Sequence, residues 1–117
     1  MRIIENSRLV RFLSFFSPIR IQAITLGQRI YFRHLAHEPT LTHEKIHAAQ
    51  WAECPYLGFL VLYAWYWVKY FGLTLDAQGA YHNIPFEREA RAHQNNPRYL
   101  DLRKPRAWKY YRKPPII

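Results

Sequence analysis

Sulfur is nearly absent from this sequence. One cysteine, Cys54, in 117 residues excludes an intramolecular disulfide and a zinc-thiolate cluster. Any metal ion must therefore be held by histidine, aspartate or glutamate. Acidic residues are also scarce: 8 Asp and Glu stand against 17 Lys and Arg, for a formal net charge of +9. That excess favours acidic partners such as nucleic acid, anionic lipid or acidic peptides, and says nothing about fold. The N-terminal stretch also reads as a poor secretory signal. In Arg8-Leu9-Val10-Arg11-Phe12-Leu13 charges interrupt the apolar residues, and no small-residue cleavage site follows. The default expectation is a cytoplasmic protein, with peripheral attachment to a membrane left open. Aromatic mass, in contrast, is plentiful: 17% Phe, Trp and Tyr within a 50% hydrophobic chain rules out a disordered one. The length suits a single domain, 1–117, with a core over about 19–97 and a basic, aromatic tail over 98–117.

Hydrophobic spacing divides the chain into elements. Leu9, Phe12, Leu13 and Phe16 recur at helical spacing and predict a short amphipathic helix that Pro18 ends. Alternation over Ile19–Leu26 and Arg29–His34, with Gly27-Gln28 between, predicts a β-hairpin. A helix from about Leu41 to Cys54 follows, capped by Thr40 or Thr42, with Ile46, Ala49 and Ala52 facing the core. Residues 56–75 are the most apolar part, with Lys69 as the one charge. The run is long enough to cross a bilayer, and equally suits a core or membrane-surface helix. Residues 76–83 read as a loop. Asn83 caps a helix over about Ile84–Gln94, and Asn95-Asn96-Pro97 ends it.

The chemistry concentrates in His43-Glu44-Lys45-Ile46-His47, an H-E-x-x-H pattern. On a helix, residues four apart share a face, so His43 and His47 aim two imidazoles at one metal ion. Glu44 stands one step round, placed to take a proton from a water activated there. A catalytic zinc takes three protein ligands. Glu87, on the later helix, is the candidate third one. Ala90 shares its face and permits close helix approach, whereas Glu89 is turned elsewhere. Such a triad also argues against one membrane span over 56–75, because His47 and Glu87 would then lie on opposite sides of the bilayer.

The order of elements resembles a minimal zincin of the gluzincin type. Ala23-Ile24-Thr25-Leu26-Gly27-Gln28-Arg29-Ile30-Tyr31-Phe32 followed by Leu41-Thr42-His43-Glu44-Lys45-Ile46-His47-Ala48-Ala49-Gln50 resembles the metallopeptidase domain of extracellular contractile injection system proteins. Glu87-x-x-Ala90 is similar to the E-x-x-A(D) element of that domain and of the CAAX-processing membrane metallopeptidases. Arg91 stands here where Asp is common. The phrase Tyr81-His82-Asn83-Ile84-Pro85-Phe86-Glu87-Arg88-Glu89-Ala90 resembles small bacterial proteins with the same H-E-x-x-H. The resemblance covers about 20–95. It implies an α+β, mostly helical zincin-like domain with a hairpin before the site helix. It also implies His43, His47 and Glu87 as zinc ligands and Glu44 as general base.

The expected activity is zinc-dependent hydrolysis of peptide bonds. Tyr81 and His82 are the leading candidates to stabilise the oxyanion; Tyr99 and Arg98 are further ones. Gln50, three residues after His47, is expected to hydrogen-bond a ligand from behind. Two rivals stand beside this reading: a non-catalytic zincin-like module that binds a partner, and a membrane-surface protein using the apolar helix and the tail. In that tail Arg98, Arg103, Lys104, Arg106, Lys109, Arg112 and Lys113 alternate with Tyr99, Trp108, Tyr110 and Tyr111. This composition suits nucleic acid, an anionic membrane surface, or a wrap with aromatics inward; no nucleic-acid motif supports the first. Oligomeric state and substrate identity are not encoded in these patterns.

Overall fold

Gly27, at φ +65°, turns the chain through two residues so that Leu26 faces Arg29, Thr25 faces Ile30 and Ala23 faces Phe32. The computed structural model describes residues 2–16 and 21–112. Its hairpin joins strand β2 (Ala23–Leu26) to β3 (Arg29–Phe32). Residues 19 and 20, where the hairpin was expected to begin, and Pro18, the expected helix stop, lie outside the described residues. A strand absent from the sequence-based expectations, β1 (Arg2–Ile4), pairs in parallel with the other side of β3, giving the order β1-β3-β2. Helix α1 (Arg8–Phe16) forms as expected, but Val10 is its fully buried residue while Leu9 and Phe12 stay exposed.

The site helix is α2, Thr40–Glu53. Neither threonine caps it. Glu38 reaches forward instead, accepting from the Thr42 backbone N–H at 2.8 Å and from the Thr42 hydroxyl. A carboxylate there suits the positive end of the helix dipole. Ile46 is fully buried, as expected, whereas Ala49 is half-buried and Ala52 exposed. Side-chain bonds tie the hairpin to α2. Gln28 donates to the Ala48 carbonyl, Thr25 to the Glu44 carbonyl, and the Trp51 indole to the Thr25 carbonyl.

The apolar run becomes α3, Gly58–Thr74, ending at Leu75 in the left-handed region. Among the described residues no helix is long and apolar enough to cross a membrane. The expected loop at 76–83 is instead a seven-residue helix, α4 (Ala77–Asn83), capped by Asp76, whose side chain accepts from the Gln78 N–H. Asn83 belongs to α4 and donates back to Gly79, so Ile84 takes the capping position of α5 (Pro85–His93), with Pro85 in its first turn. The tail adds α6 (Tyr99–Leu102) and a 3-10 turn, Ala107–Tyr111. The domain is thus a mostly helical α+β fold: a three-stranded sheet and six α-helices among the described residues.

Phe86 lies at the centre of the core. Its ring meets Phe59 at 4.6 Å and Trp108 at 4.7 Å, with Ile84 and Cys54 completing the buried cluster. Trp51, Leu62, Tyr63, Tyr66 and Trp67 pack round it. The tail's Trp108 therefore belongs to the core, while Tyr110 is exposed. Lys113 and the prolines after it lie outside the described residues.

Candidate metal centre

Helices α2 and α5 pack closely where Ala90 is fully buried, and this brings Glu87 beneath both histidines. Glu87 Oε1 lies 3.0 Å from His43 Nε2, and Glu87 Oε2 lies 3.1 Å from His47 Nε2. The two Nε2 atoms are 3.2 Å apart. Three donor groups thus enclose a triangle, with Glu87 meeting each ring through a different oxygen. Around a tetrahedral ion with bonds of about 2.05 Å, ligand atoms sit roughly 3.3 Å apart, and the 3.2 Å between the two Nε2 atoms suits two such ligands.

Proton accounting favours a cation in that triangle. Gln50 donates to the Phe86 carbonyl and to Glu89, so its carbonyl oxygen faces His47 Nδ1 at 2.7 Å and accepts the proton there. Gln94 Oε1 stands in the same relation to His43 Nδ1, at 2.7 Å. With both Nδ1 atoms donating, neutral imidazoles point Nε2 lone pairs at each other and at a carboxylate. A cation or an extra proton must neutralise that convergence. Without a metal the proton does so. Burial opposes charge on His47, but the Glu87 carboxylate and the other partners outweigh it and push its pKa up to about 9. Burial likewise disfavours charge on Glu87, and His47 and His43 overcome it, holding the carboxyl well below its usual range.

Glu44 stands beside this triangle rather than at its base. Its Oε2 is 3.9 Å from His43 Nε2, and its Oε1 accepts from the Thr25 hydroxyl at 3.0 Å. His43, Glu44 and His47 alone form a compact group of potential ligand atoms, all within 4.8 Å. Glu87 is nevertheless closer to both rings and spans them, which assigns it the bridging place. Burial raises the Glu44 pKa, against the pull of His47 and His43.

Besides Gln94, two contributors escaped the sequence reading. Tyr63, from α3, donates to Glu87 Oε2 at 2.7 Å and orients that carboxylate. Thr25, from β2, orients Glu44. Neither carries a motif: a tyrosine in an apolar run and a threonine in a strand both read as packing. Tyr81 comes from α4 rather than from a loop. It lines the same cleft, and burial with the adjacent Glu87 raises its pKa, so its hydroxyl stays protonated. His82 is not brought in: it is exposed, its ring lies edge-on to Tyr81, and it is absent from the cleft wall. Tyr99 donates to Glu89 and stacks on His93, away from the triangle, and Arg98 is exposed.

The cleft over the triangle has a volume of about 550 Å³. One wall is Ile21 to Thr25, running into the edge strand β2, with Pro39 and Thr40; the other is Phe59, Tyr63 and Trp67 of α3 with Ala77 and Tyr81 of α4. His43, Glu44, His47 and Glu87 form the charged floor between mostly apolar walls. Behind the floor Glu89, fully buried, accepts from Gln50, Tyr99 and Arg103. It does face away from the site, as its helical angle requires, but into an internal ion-pair network. Compared with models of known protein families, with curated proteins and with solved structures, the chain matches none.

Proposed function

We propose that this chain is a zinc-dependent metallopeptidase, with His43, His47 and Glu87 as zinc ligands and Glu44 as general base. The observation that carries this reading is the convergence of two Nε2 atoms, 3.2 Å apart, on the two oxygens of Glu87 at 3.0 and 3.1 Å, with a fourth titratable group beside them. Two imidazoles and a carboxylate with no thiolate are a donor set suited to catalytic zinc. When bound, such an ion polarises a carbonyl and lowers the pKa of a water to about 7.

The protein's own groups supply the rest. Thr25 holds Glu44 Oε1, leaving Oε2 turned toward the triangle to accept a proton and later pass it to the departing amine. The raised Glu44 pKa suits a group that must both take and return a proton. Tyr81 stays protonated at the cleft wall and is the donor placed to meet charge developing on a substrate carbonyl. An extended peptide fits between the edge strand β2 and helices α3 and α4.

Metal analysis tests the assignment. Wild type should retain about one zinc per chain, and Glu87→Ala should lose it. Glu44→Gln should keep the zinc while peptide hydrolysis falls by about 10²-fold or more. Unchanged zinc affinity in Glu87→Ala would sink the ligand set. Full hydrolysis by Glu44→Gln would sink the general base, and zinc binding with no hydrolysis in wild type would leave the non-catalytic module.

A further inference from the structure

His47 is supported from behind by a run of buried side chains that ends in the tail. Its Nδ1 meets Gln50 Oε1, and Gln50 Nε2 donates to the Phe86 carbonyl and to Glu89 Oε1, each at 3.0 Å. A backbone carbonyl and a carboxylate paired with a guanidinium only accept, so the amide has one orientation: nitrogen toward α5, oxygen toward the imidazole. Glu89 is fixed in its turn. Its Oε2 accepts from the Tyr99 hydroxyl at 2.7 Å and from Arg103 Nε at 2.6 Å, and its Oε1 accepts from Arg103 Nη2 at 3.0 Å. Both Nη atoms of that guanidinium grip Glu53, back on α2. Gln50 and Glu89 are fully buried, and the Arg103 side chain is 5% exposed.

Glu89 Oε1 is the atom that Gln50 and Arg103 share. A guanidinium that shifts takes with it the oxygen on which the amide rests, and the amide takes the ring. Hydrogen bonds to an ionised acceptor are about twice as strong as neutral ones, which makes Glu89 a firmer anchor for Gln50 than the Phe86 carbonyl. The amide between them is neutral. It passes orientation to His47 without placing another carboxylate against a site that already holds Glu44 and Glu87. His43 has a separate support in Gln94, at the cleft wall.

We infer that Arg103 is a positioning residue for the metal centre: acting through Glu89 and Gln50, it keeps the His47 ring turned with Nδ1 donating and Nε2 open to the triangle. The tail is thereby part of the site and does more than cover the core. The inference rests on His47 being a zinc ligand.

A double-mutant cycle on zinc affinity tests it, by chelator competition on the full chain, with circular dichroism to confirm that each variant folds. Gln50→Leu should weaken zinc binding about 10- to 100-fold. Arg103→Lys keeps the charge and loses the planar fork. It should weaken zinc binding about fivefold in the wild-type background, about fivefold again in Gln94→Leu, and no further in Gln50→Leu. Tyr99→Phe removes one donor from Glu89 and keeps the ring; it should repeat the pattern at about twofold and carries the cycle if Arg103→Lys does not fold. In zinc-loaded protein with isotope-labelled histidine, the His47 Nδ1–H resonance should be sharp in wild type. Solvent exchange should broaden it in Arg103→Lys and leave the His43 resonance unchanged. An Arg103 effect that persists in full on Gln50→Leu, or a His47 resonance that does not move, overturns the inference and leaves the ligand set standing. A wild-type chain that binds no zinc overturns both.

Discussion

At His47 a proton and a metal ion compete for one nitrogen. In the metal-free protein its pKa stands at about 9, against 6.5 for the free side chain, because the Glu87 carboxylate and the other partners outweigh burial. A raised cationic pKa stabilises the fold fully below about 6.5, and that contribution is lost as pH rises through about 9. Glu87, held well below 4.5, works in the opposite window: its contribution is present above 4.5 and lost as pH falls through its lowered pKa. Chelator-treated protein should therefore resist urea best between these windows and weaken steadily toward pH 9. Zinc must displace the His47 proton, so its apparent affinity should climb about tenfold per pH unit until that proton is gone. A metal-free stability flat across this range would refute the coupling.

Among the elements, α2, α5 and the tail are joined by one side chain. Arg103 makes a bidentate pair with Glu53 of α2, at 2.8 Å twice, and reaches Glu89 of α5 at 2.6 and 3.0 Å. Arg103→Ala leaves the fully buried Glu89 without its cation, and denaturant unfolding should show a loss of about 3–5 kcal/mol. Arg103→Lys should recover only part of it, since an ammonium cannot span both carboxylates with a planar fork. This network also marks where the sequence stopped being readable. The hairpin was legible because Gly27 permits the turn, and α5 because Pro85 opens a helix and Asn95-Asn96-Pro97 follows it. The pairing of His43 with His47 was legible because helical periodicity fixes which residues share a face. Arg103 looked like every other cation of the tail, because its partners lie 14 and 50 residues away. Strand β1 was hidden for the same reason: three residues pair in parallel with a strand some 27 positions on, with no local signal. Helix α4 was hidden by Gly79 and Asn83, residues of poor helix propensity whose segment is held by packing on α3.

For the molecule as a whole, a metal at the triangle would be a staple between α2 and α5. Zinc at about a thousand times its dissociation constant stabilises a fold that alone binds it by about 4 kcal/mol, or a melting-temperature rise of roughly 10–20 °C. Calorimetry with and without zinc should show that rise in wild type and none in Glu87→Ala. The staple has a topological side as well. His43 and His47 precede Tyr56, 96% exposed between α2 and α3, and Glu87 follows it. Cut after Tyr56, the chain becomes two fragments, one with two ligands and one with the third. Neither fragment alone completes the triangle, so zinc binding would become a readout of whether the two halves have found each other.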